Sequence, residues 1–136
     1  MPLRNTDTII FVYNADSGIF NLLSDMAHKA ISPETYSCQL CMLTHGHFGM
    51  RDQWQEYLRT LNAKKEFLHR DEFVKKYPEH DAELPALFLE RDNVVELLLA
   101  ASTITSCSTM EMLIHQVDAR IKIITGLATL ASDIDK

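Results

Sequence analysis

T-D-T-I-I-F-V-Y-N-A-D-S-G, residues Thr6 to Gly18, decides how the rest of the chain is read. Ile9, Ile10, Phe11, Val12 and Tyr13 form an unbroken apolar, β-branched and aromatic run, which predicts a buried strand over Thr8 to Asn14. The run stops at Asn14-Ala15-Asp16-Ser17-Gly18, a cluster of turn formers. A helical pattern begins at once and lasts from about Gly18 to Ile31, with Ile19, Phe20, Leu22, Leu23, Met26, Ala27 and Ala30 on one apolar face. A strand, a tight polar turn and a helix start in this order bring the helix's unpaired N–H groups to the strand's end.

Outward from there, Ser32-Pro33 ends the helix, because the residue before proline is pushed out of the α region. Tyr36, Cys38, Leu40 and Met42 alternate and predict a short second strand. Gly46 and Gly49 mark a loop, and Arg51 to Leu61 reads as a helix carrying Trp54, Tyr57, Leu58 and Leu61. Lys64 to His69 reads as a short strand, and Asp71 as the cap of a helix from Glu72 to Tyr77 that stops before Pro78. Ala86 to Ala100 reads as a hairpin turning at Arg91-Asp92-Asn93. Ser108-Thr109-Met110-Glu111 has the form of a capping box. The closing helix keeps Leu113, Val117, Ile121, Ile124 and Ala128 on one face, with Gly126 a candidate interruption.

A length of 136 residues predicts a single domain over residues 1–136 with a real core. The formal net charge of -6 argues against a general nucleic-acid or anionic-membrane binder. No apolar run has the length of a membrane span, and M-P-L-R-N-T-D-T lacks the apolar core of a signal peptide. Three cysteines do not make a secreted disulfide framework, so a reducing, cytoplasmic setting is expected. The chain contains no phosphate-binding G-x-x-x-x-G-K-[ST], no G-x-G-x-x-G, no G-x-S-x-G and no H-E-x-x-H, and the enzyme classes that need them are set aside.

Strand, helix, strand, helix, a hairpin introduced by proline and a closing helix together resemble the thioredoxin fold. The residues that carry the resemblance are Leu84-Pro85-Ala86-Leu87-Phe88-Leu89. It implies a single α/β domain with a central mixed sheet flanked by helices, and a cis-proline at Pro85 facing the functional crevice. The opening also resembles small thiol–disulfide oxidoreductase-like proteins whose first strand ends in Y-D-x-D-C-x-x-C. The matching residues are Tyr13, Asn14, Ala15, Asp16, Ser17, Gly18, Ile19 and Phe20. Ser17 and Phe20 stand where that family has its two cysteines, and neither forms a disulfide. The wider pattern Y-N-A-D-S-G…H-K…S-P-E-T-Y-x-C-x-L-C is similar to a bacterial family with no assigned activity to transfer.

Chemistry is therefore sought in Cys38-Gln39-Leu40-Cys41, a C-x-x-C in an expected reducing setting. One reading is a redox pair, in which one thiolate attacks a substrate disulfide and the other resolves it, as in a thiol–disulfide oxidoreductase. A second is zinc, held by Cys38, Cys41 and one or two of His28, His45 and His47 in a non-catalytic binding module. A third is plain packing, which is what free cysteine usually does; Cys107, without a partner spacing, is read that way. Asp16 and Ser17 are either caps of the following helix or a base and a nucleophile or anion-binding group. Asp25 and His28 make an i, i+3 pair that belongs more simply to a solvated helix face. If the first two strands are parallel, their C-terminal ends bring Tyr13, Asn14, Asp16 and Ser17 near His45 and His47, with Pro85 bordering the same crevice. The expected partner is a protein or a small molecule that the sequence does not identify.

Overall fold

The computed structural model of the chain describes residues 3–14, 39–46 and 49–134. In chain order the elements are β1 (Thr8–Val12), α1 (Gln39–Thr44), β2 (His45–Gly46), β3 (Gly49–Met50), α2 (Asp52–Thr60), β4 (Lys64–Leu68), α3 (Arg70–Lys76), β5 (Ala86–Arg91), β6 (Val94–Leu99), α4 (Ala101–Ser106) and α5 (Met110–Ile134). Four strands form one mixed sheet in the order β4-β1-β5-β6, and β2 with β3 makes a separate small ladder. β1 pairs with β4 in parallel and with β5 antiparallel, and β6 lies antiparallel on β5. The fold is mixed α/β.

The unbroken apolar run of β1 has a simple cause: both faces of the sheet are covered. Ile9, Phe11 and Tyr13 point to one side, where they join Leu40 of α1, Trp54 and Leu58 of α2, Ile104 of α4 and Leu113 and Val117 of α5. Ile10 and Val12 point to the other, against Phe73 of α3, Tyr77, Leu68 and Phe88. The hairpin turns at Asp92 and Asn93, whose φ angles are 53° and 66°. Positive φ at both central residues matches the twist of the flanking strands, and Asp and Asn are the non-glycine residues best suited to it. The Leu84–Pro85 peptide bond is cis.

Behind the turn, Asp7 is buried at 1 % exposure and gathers two arginines. Its carboxylate accepts from Arg4 N at 2.8 Å and from the Arg4 guanidinium at 3.1 Å. Arg91 at the end of β5 adds an ion pair at 3.4 Å, and Arg4 also reaches Asp92. The start of the chain is thereby tied to the hairpin tip. On the outer side, β6 is an end strand of the sheet among the described residues. Its pairing with β5 shifts register between Leu87 and Phe88, and Arg120 of α5 donates to Leu98 O at 3.0 Å.

Several expected features are corrected. The second strand predicted from Tyr36 to Met42 is not there in the described part: Leu40, Cys41 and Met42 belong to helix α1. Gln39, Leu40, Met42 and Leu43 are good helix formers, and the helix buries Leu40 and Cys41 while Thr44 Oγ1 donates back to Leu40 O at 2.7 Å. The alternation in the sequence was real, but the helical period won because one side of this turn faces the core. The strand parallel to β1 is Lys64–Leu68 instead. Helix α3 also starts a residue ahead of the expected Asp71 cap, at Arg70. Gly126 interrupts nothing, lying within α5 with open space where a Cβ would stand. Met112 N donates to Thr109 Oγ1 at 3.2 Å, so the α5 cap is Thr109 rather than Ser108. Helix α4 was not anticipated. The helix expected over Gly18 to Ile31 lies outside the described residues.

Candidate functional site

The parallel pairing of β1 with β4 brings two strand ends together, and the residues just past those ends define the site. Tyr13 extends β1 by one step: its N–H donates to Leu68 O at 2.9 Å. Since Val12 lies opposite Ala86, the register continued one step sets Tyr13 beside the buried Pro85. Alternation along the strand puts the Tyr13 ring on the same face as Phe11. Phe67 of β4 lies parallel to both rings, with centroids 4.9 Å from Phe11 and 6.5 Å from Tyr13.

Two imidazoles flank Tyr13. His45, which follows α1, meets it edge-on at 5.5 Å between centroids, and His69, which follows β4, lies tilted at 6.0 Å. His45 is carried by the small β2–β3 ladder, and Arg51 N donates to Thr44 O at 2.8 Å across its base. That closure also brings the Arg51 guanidinium near. Burial lowers the His45 pKa from the ordinary 6.5, and the positive charge of Arg51 and the neighbouring His69 push it the same way. His69 sits at the start of α3, where Glu72 accepts from its backbone N–H at 2.9 Å and from its ring Nδ1 at 2.5 Å. Those two bonds hold the Glu72 carboxyl below its usual range. Arg70 reaches Asn14 Oδ1 at 3.5 Å and so marks the end of β1 on the solvent side.

Of the residues singled out by sequence, Tyr13, Asn14, His45 and Pro85 are at this end of the sheet. Cys41 is a core residue, 1 % exposed, packed in the same apolar cluster as Leu40 and Trp54. Cys107 is buried too; its Sγ donates to Thr103 O at 3.3 Å and burial pushes the thiol pKa up, in keeping with a packing role. Asp16, Ser17, His28, Cys38 and His47 lie outside the described residues. Among the described residues, no group of three His, Cys, Asp or Glu side chains is disposed to hold a metal ion. His69 and Arg51 were passed over in the sequence. The sequence showed only that His69 ends a predicted strand; that this strand lies parallel to β1, the place where sheet-end sites collect, is seen only in the structure.

A cavity of about 260 Å³ lies off the site, lined by Met42, Leu43, Arg51, Gln53, Met110 and Glu111. Gln53 donates to Glu111 across it at 3.2 Å. Of the described site residues only Arg51 borders it. No helix among the described residues is long and apolar enough to cross a membrane. No family model matches the chain, and neither does any curated protein or solved structure.

The depressed pKa of His45 has a measurable consequence. As pH falls below about 6.5, the unfolded chain takes up a proton that the folded His45 refuses, so stability is lost from there down to the folded pKa. The urea midpoint is expected to fall between about pH 7.5 and about pH 5.5. The fall should be smaller in His45→Gln, and equal slopes in the two proteins would remove His45 from the explanation.

Proposed function

We propose that this chain is a thioredoxin-like binding module, taking a ligand at the sheet end where Tyr13, His45, His69 and Pro85 meet. The observation that carries the reading is the strand arrangement. A central β1, a parallel neighbour on one side and an antiparallel hairpin on the other, introduced by Pro85, is the arrangement expected of a thioredoxin-like sheet. Sites in α/β proteins of this kind gather at the C-terminal ends of parallel strands. At that end this chain offers two imidazoles, a tyrosine and two nearby arginines, Arg51 and Arg70. Ser17 in place of the first cysteine fits a module that binds without exchanging disulfides.

The second reading keeps thiol–disulfide exchange, with Cys38 and Cys41 as the pair, and the C-x-x-C spacing favours it. Against it stands the burial of Cys41, since a reactive thiol needs access and a lowered pKa. A zinc-holding form of the module, using Cys38, Cys41 and histidines from among His28, His45 and His47, makes its own distinct prediction.

One set of measurements separates them. Thiols are counted in the native protein before and after reductant and again after unfolding, with elemental analysis of the same sample. The binding module without metal predicts no zinc, no gain of thiols on reduction, and a Cys41 that reacts only after unfolding. Two thiols appearing on reduction overturn it in favour of the redox pair. Near-stoichiometric zinc, lost in Cys38→Ser, points to the metal-holding form. The site itself is tested by adding mixtures of short extended peptides and following backbone NMR shifts. Shifts are expected at Tyr13, His45, His69 and Pro85–Ala86, and shifts confined to other surfaces would move the site elsewhere.

A further inference from the structure

We draw no further inference here: the strongest candidate, the exposed ring of Phe67 on β4 that lies parallel to Phe11 beside the sheet-end site, is an apolar surface for which nothing in the structure shows what covers it.

Discussion

Replacing Phe11 by alanine is expected to cost about 3–5 kcal/mol of unfolding free energy. Phe11 lies in the central strand β1 with 1 % of its surface exposed. Its ring meets Trp54 edge-on at 5.9 Å and lies parallel to Phe67 at 4.9 Å. Truncation therefore removes the transfer free energy of a large side chain and two aromatic contacts, each worth roughly 0.5–1.5 kcal/mol beyond burial. It also leaves a void that α2 cannot easily fill, because Trp54 is itself fully buried. The measurement is a urea titration at fixed pH. A loss under about 1.5 kcal/mol would mean that the face of the sheet under α2 collapses freely, contrary to a well-packed core.

The second large effect is expected at Asp7. Asp7→Ala removes one acceptor group on which Arg4 N, the Arg4 guanidinium and Arg91 all converge. Hydrogen bonds to a charged group are worth more than neutral ones, and a loss of about 2–3 kcal/mol follows. This is set below the figure for breaking a fully buried ion pair, because Arg4 keeps 35 % of its side chain in contact with water and is partly rehydrated. Asp7→Asn, which retains one acceptor oxygen, should lose less than the alanine variant. A cost under about 0.5 kcal/mol for Asp7→Ala would class the whole group with ordinary surface pairs.

How much of this was readable in the chain depends on which force decided each element. Strand β1 was plain because a continuous run of Ile, Phe and Val has one comfortable fate, a strand covered on both faces. The hairpin was plain because Asp92 and Asn93 suit the left-handed turn that joins its strands. Residues 39–44 were not, since Leu40 and Met42 continue the alternation of Tyr36 and Cys38, while Leu40, Cys41 and Thr44 share one face of a helix. The choice is made by a core contact that no local rule contains. The same limit explains the site. Tyr13, Asn14, His45 and Pro85 were picked because they end or precede recognisable elements. His69 was overlooked because its neighbour in space is set by the parallel pairing of β4 with β1, a contact between segments more than fifty residues apart. Its capping partner Glu72, by contrast, lies only three residues on in the chain.

The bond from Arg120 to Leu98 O reaches further than the helix it anchors. A sheet that ends in a row of open amides invites another chain to continue it, and such accretion is the first step toward fibres. Here a long cationic side chain has already claimed a carbonyl on the strand that ends the sheet among the described residues, at the place where the pairing with β5 slips by a residue. An incoming strand would have to evict a guanidinium and follow a kinked template. Among the described residues this bond is thus a local obstacle to a further strand, on the strand that leaves Val94 and Leu97 well exposed.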